Sequence, residues 1–206
     1  YMQQYVRNTL QINQGFAPAD ADSVRRTVFS EIAYFAGVAH TDWSWAPLLV
    51  DADNDGYRDL MVSNGLPKDM SDLDFIAYRS QAAAVTPKQV LLQQLPTVKI
   101  PNYIFRNNGD LTFTDKSTEW GWETPTYSAG AAYADFDKDG DVDVVFNNTN
   151  MPVTLLENKL NEWEETNNYL RIRLHGDSMN KLGLGTVLKV FYNGQQQFHD
   201  ATPYRG

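Results

Sequence analysis

No cysteine occurs in the 206 residues. That excludes a disulfide framework and any cysteine-based metal or thiol site. It leaves the compartment open, because many secreted chains also lack cysteine. Histidine is scarce, and His40, His175 and His199 show no metal-ligand spacing. No stretch approaches the roughly 18 apolar residues of a membrane-spanning helix. Positive charge is in deficit, with 17 basic against 26 acidic residues and a net charge of −9. This balance disfavours nucleic acid and anionic membrane as partners. Catalytic signatures are missing too. There is no GxSxG nucleophile elbow, and GLGT at 183–186 lacks the third glycine and following helix of a dinucleotide fingerprint. The acid pairs Asp72/Asp74 and Glu164/Glu165 stand at a helix start and in a charged linker. Solvated charge explains them better than a glycosidase role.

What is present is 42% hydrophobic and 13% aromatic content, enough for a folded core in one or two domains. Aspartate is crowded at two places. DADNDGYRDL (51–60) returns 84 residues later as DFDKDGDVDV (135–144). Two carboxylates about 4 Å apart repel by roughly 4 kcal/mol at an effective dielectric near 20. A turn holding four of them must relax, protonate or take up a cation.

The repetition is wider than the loops. Residues 29–64 align with 113–148 without a gap and match at nine positions, from Phe29/Phe113 to Asn64/Asn148. Upstream, NTLQINQG (8–15) aligns with NYIFRNNG (102–109), and VTLLEN (153–158) starts a third copy. Each unit reads as a short strand ending in an Asn/Gly turn, a Phe-containing strand, a Gly/Ser segment, the acidic loop and a closing strand. Such units imply a mainly β fold built of propeller blades. About 33 residues are inserted after Asn64. Ser71 is the expected N-cap of a helix over 71–84. Thr86 and Pro87 are the expected N-cap and first residue of a second helix reaching 95. The excursion, about 66–100, either meets a partner or packs over a blade edge. Trp43, Trp45, Trp120 and Trp122 read as filling between blades rather than as a sugar platform.

The loop spacing is D-x-D-x-D-G-x-x-D. Alternate carboxylates aim inward: Asp51, Asp53 and Asp55 in the first loop, Asp135, Asp137 and Asp139 in the second. Gly56 and Gly140 permit the bend. Tyr57 and Asp141, unlike in kind, are expected to offer backbone carbonyls, and Asp59 and Asp143 close the ring. An oxygen set of this size suits calcium, one ion per loop; magnesium keeps more water, and zinc wants His or Cys. An EF-hand is excluded, because its twelfth position needs Glu and here carries Val62 and Phe146.

With these motifs, residues 5–160 resemble FG-GAP/VCBS repeats of integrin-α-like propellers. The resemblance implies a calcium ion in each loop at a blade rim, tying strands together. Residues 167–206 resemble the start of an ASPIC/UnbV domain, through NYLRIRL, Asn180-Lys181 before Gly183 and Gly185, and an Asn193-Gly194 turn. Lys181 and Thr186 replace the more usual Arg and Ala. From the residues alone, Leu170, Ile172 and Leu174 alternate as in a strand, and Asn-Gly favours a type I′ hairpin. The expected division is a repeat region 1–160, a linker 161–168 and a small β domain 169–206. The opening at Tyr1-Met2 and the close at Arg205-Gly206 read as cuts within a longer protein.

The expected function is a non-enzymatic, calcium-binding module of an extracellular or cell-surface protein. Its partner would be a protein or glycan, and a bacterial outer-surface assembly fits by analogy. The alternative is a calcium-dependent polysaccharide lyase whose base lies outside this stretch.

Overall fold

The computed structural model describes residues 7–17, 25–162 and 167–202. The pair Glu164/Glu165, half of the expected linker and the terminal Arg205-Gly206 lie outside them. The fold is mainly β, in small antiparallel sheets that match partial propeller blades. Strands β1 (Gln11–Phe16) and β2 (Thr27–Glu31) form a pair. Strands β3 (Ser44–Val50), β4 (Asp59–Asn64), β5 (Tyr103–Asn107) and β6 (Phe113–Asp115) form a four-stranded meander. Strands β7 (Ser128–Ala134), β8 (Asp143–Asn148) and β9 (Thr154–Leu156) form a three-stranded one. A separate hairpin joins β10 (Val187–Tyr192) to β11 (Gln195–Asp200).

The register repeats with the sequence. Ser44 faces Asn64 as Ser128 faces Asn148, and Val50 faces Asp59 as Ala134 faces Asp143. Asn13 opposes Phe29 as Asn107 opposes Phe113. Strand β1 runs on through Gly15 to Phe16, one residue beyond the expected turn, and its register shifts there.

A short helical turn, α1 (Ala33–Ala36), was not expected from the Gly/Ser segment. It recurs as a turn at 117–121. Ala36 N–H donates to Ile32 and Val38 to Ala33, as Trp120 does to Lys116 and Trp122 to Ser117. Gly37 and Gly121 end the turns at φ of 80° and 79°, a region that costs other residues 1–2 kcal/mol, roughly.

Strand β4 is buried along its whole length because the β7–β8 sheet side covers one face and the α1 turn the other. Met61 joins Leu48, Val50 and Ile104 against Trp122, Val144 and Phe146. Leu60 and Val62 point the other way, with Phe105, onto Ala33, Ala36 and Val38. Alternation of period two thus feeds two cores. Polar links cross between sheets. Asn102 accepts from the Asn64 N–H at 2.8 Å and donates to Ser128 at 3.0 Å, and Ser128 donates to Asn148 at 2.7 Å.

The excursion holds α2 (Leu73–Ala82) and α3 (Lys88–Gln93). The expected caps shift. Asp72, not Ser71, caps α2 by accepting from Phe75 N–H at 2.7 Å, because Ser71 is turned back onto Asp69. Pro87 occupies the cap position of α3, so Lys88 is its first residue and Thr86 instead donates its N–H to Ala82. The expected strand at Leu170, Ile172 and Leu174 does not form: no described strand runs alongside to pair with it. Asn193 and Gly194 lie at φ of 46° and 78°, both positive as a type I′ turn requires.

Candidate metal centre

The two acidic loops join β3 to β4 and β7 to β8. Their backbones repeat one conformation. Asn54 and Gly56 have φ of 54° and 96°, and Lys138 and Gly140 have φ of 69° and 103°. The side chains fold back as turn acceptors. Asp53 Oδ1 takes Asp55 N–H at 3.3 Å, and Asp137 Oδ1 takes Asp139 N–H at 3.2 Å.

The ninth positions are the most firmly held. Asp59 accepts from Ala52 N–H at 3.0 Å and Asn107 N–H at 2.8 Å. Asp143 accepts from Phe136 N–H at 2.8 Å and Asn158 N–H at 2.9 Å. Asp59 thereby ties its loop to β5, and Asp143 ties its loop to the segment just after β9, both while buried. Burial, opposed by those N–H groups, pushes the Asp59 carboxyl from 3.8 up to about 7. Burial likewise pushes Asp51 up to about 6.

Carboxylate oxygens of Asp51, Asp53 and Asp59 lie within 4.8 Å of one another, as do those of Asp135, Asp137 and Asp139. Asp55 stands beside the first group, its Oδ1 accepting from Tyr57 N–H at 2.8 Å. At the first position of each loop one buried oxygen has no hydrogen-bond partner: Asp51 Oδ1 and Asp135 Oδ1. A buried orphan acceptor costs about 1–3 kcal/mol, more when charged. Two orphans at equivalent places, each among convergent carboxylates, fit a hard cation. The all-oxygen donor set suits calcium or another hard ion.

The seventh positions differ between the loops. Tyr57 points its ring outward, but Asp141 is 1% exposed and its Oδ1 is a further orphan. The second loop therefore buries a carboxylate at its seventh position, beside the group formed by Asp135, Asp137 and Asp139. Burial pushes that carboxyl up to about 6.

Two arginines also reach the loops, and spacing gave no sign of them. Arg106 bridges Asp53 at 2.6 Å and Asp55 at 2.8 Å. Arg171 pairs with Asp135. Arg106 lies on β5 one residue before Asn107, and Glu157 holds the equivalent place in the next unit. Only the first loop is therefore neutralised from its own sheet. Of the tryptophans, Trp122 is core and packs edge-on against Phe146, and Trp43 stacks on Trp45.

The second loop lies in a stretch that matches a known family. The FG-GAP-like repeat family matches residues 90–146, the stretch holding β5, β6, β7 and the second loop. Cartilage acidic protein 1 of Homo sapiens is 38% identical over 77 residues, 37% of this chain and 10% of that protein. The protein of the same name from Xenopus tropicalis is 43% identical over 53 residues, 25% of this chain and 8% of that protein. The matched stretch thus spans about a tenth of these relatives' length. The family match lies wholly before 167, so the ASPIC/UnbV resemblance rests on its own residues. The relatives are vertebrate proteins and lend no support to a bacterial outer-surface setting. Residues 90–146 carry an FG-GAP-like repeat, and the other acidic loop repeats it at a distance of 84 residues.

Proposed function

We propose that this chain is a calcium-stabilised β-propeller segment of an extracellular protein, acting in binding or scaffolding and not in catalysis. One observation carries the reading. The same backbone frame, built twice, gathers carboxylates around a buried oxygen with no partner. Asp51, Asp53, Asp55 and Asp59 would hold one ion, and Asp135, Asp137, Asp139 and Asp143 the other, with Asp141 supplying its carboxyl as well. A bound ion offsets the repulsion that the metal-free loops carry, and it locks β3 to β4 and β7 to β8. Loops of modest affinity fill at millimolar extracellular calcium and stay empty in a resting cytosol. Cartilage acidic protein 1 is the relative from which an extracellular setting is inferred.

Thermal unfolding in millimolar calcium and in excess EDTA tests this. A site at 100 times its dissociation constant adds about 2.7 kcal/mol. Two such sites raise the midpoint by roughly 10–20 °C for a chain of this size. Asp53→Ala and Asp137→Ala should each remove part of the rise. No rise in a folded sample overturns the metal reading. Steady release of unsaturated products from uronate polymers would overturn the non-catalytic one.

A further inference from the structure

The root of the helical excursion meets the four-stranded sheet at the end remote from the acidic loop. A cavity of about 580 Å3 lies there. His40, Asp42, Trp43 and Tyr103 line it from the sheet side, and Asp69 and Asp72 from the excursion. The wall is firmly held. Leu66 and Val98 exchange two hydrogen bonds of 2.8 Å across the neck, and Asp69 N–H donates to Pro96 at 2.9 Å. Two of its rings are stacked on neighbours, Trp43 on Trp45 and Tyr103 on Phe105.

Three aspartates line the cavity, and of its lining residues His40 alone is basic. None of the ion pairs among described residues involves Asp42, Asp69 or Asp72. Asp69 is 8% exposed. Its Oδ1 accepts from Ser71 N–H and Oγ, while its Oδ2 accepts from no described residue. The three carboxylates do not converge on one point as those of the loops do, so a bare metal ion would not satisfy them. An extended organic cation would: spread carboxylates take its N–H groups in charge-assisted hydrogen bonds, and aromatic faces attract its charge. The net charge of −9 favours approach of a basic partner. The next unit has Thr126 where Asp42 stands and only a short turn in place of the excursion.

We propose that this cavity receives a basic side chain, the ammonium of lysine or the guanidinium of arginine, presented by a protein partner. The excursion exists to complete that pocket, and the pocket works independently of the metal loops.

The test titrates the protein, in millimolar calcium, with Nα-acetyl-lysine amide and Nα-acetylarginine amide. Nα-acetylnorleucine amide and glucose serve as neutral comparators. The readout is the indole N–H resonance of Trp43, assigned with Trp43→Phe. A saturable shift with one or both cations, absent with norleucine, is expected. Asp69→Asn should weaken it about tenfold, the scale of one charged hydrogen bond, and added salt should weaken it too. Because Asp69 also steadies the neck, exposed Asp42→Asn is the second variant and should weaken binding in the same direction. Glu162→Gln, an exposed acid that does not line the cavity, should leave it unchanged. A shift with glucose but not the cations makes this a sugar site and overturns the proposal. So does no saturable shift with either cation, or binding undiminished in both aspartate variants.

Discussion

Asp59 and Asp143 combine two jobs that substitution separates. Asp59 belongs to the first carboxylate group, Asp143 is proposed to close the second, and each accepts two backbone N–H groups in a sealed position. Alanine at either site strands both donors, at about 1–3 kcal/mol apiece. Asp59→Ala and Asp143→Ala should therefore lower stability by about 2–6 kcal/mol even in EDTA, as read by urea unfolding. Asp53→Ala should differ: its loss should appear mainly as a smaller calcium increment, since its carboxylate holds Arg106 and one turn N–H. Equal losses for the two classes in EDTA would contradict this division. Arg106 supplies a second contrast. It neutralises Asp53 and Asp55 without metal, so Arg106→Gln should destabilise the metal-free protein and enlarge the gain on adding calcium. A calcium increment smaller than that of the unaltered protein would sink this account of Arg106.

At the scale of elements, hairpins and their loops were the readable part. The D-x-D-x-D-G-x-x-D spacing located both loops, and the constant offset located the strands flanking them, because period-two patterning and turn residues act locally. Asn193-Gly194 fixed its hairpin for the same reason. Contacts between elements were not readable. Arg106 sits 51 residues beyond Asp55, and its counterpart is an acid, so no motif marks it. The burial of Asp141 involves Asn161, 20 residues on, whose N–H and side-chain amide approach its carboxylate at 3.4 Å. Leu170, Ile172 and Leu174 alternate as strand residues do, yet a strand needs a partner and none of the described strands provides one. The cap of α2 was a choice between adjacent residues, settled by Asp69 engaging Ser71. The inter-sheet core yields its own prediction. Phe146 is fully buried and meets Trp122 edge-on at 5.3 Å between the two larger sheets. Phe146→Ala should cost about 3–5 kcal/mol and unfold both loops together. The excursion contributes little to that core, since α2 and α3 bury Phe75 and Leu91. Replacing it with a short turn should leave cooperative unfolding and the calcium increment nearly intact, checked by the same thermal scans.

For the whole molecule, acid and calcium should each stabilise the loops, and they compete for the same oxygens. In the metal-free fold, burial raises Asp51 from 3.8 to about 6 and Asp59 to about 7, and Asp141 to about 6. Between the unfolded value and these values, the folded chain holds protons that the unfolded chain has released. Stability then falls as pH rises through the window and is regained on acidification. Calcium needs the same oxygens deprotonated, so protons compete with it. In EDTA the unfolding midpoint should climb from about pH 8 to about pH 5. The increment given by a fixed calcium concentration should shrink over the same interval. The difference between the two curves is the quantity to follow, because groups remote from the loops titrate alike in both and cancel. An increment that stays constant from about pH 8 to about pH 5 would mean that the buried aspartates are not the calcium ligands. The crowding of charge in the two loops would then need another explanation.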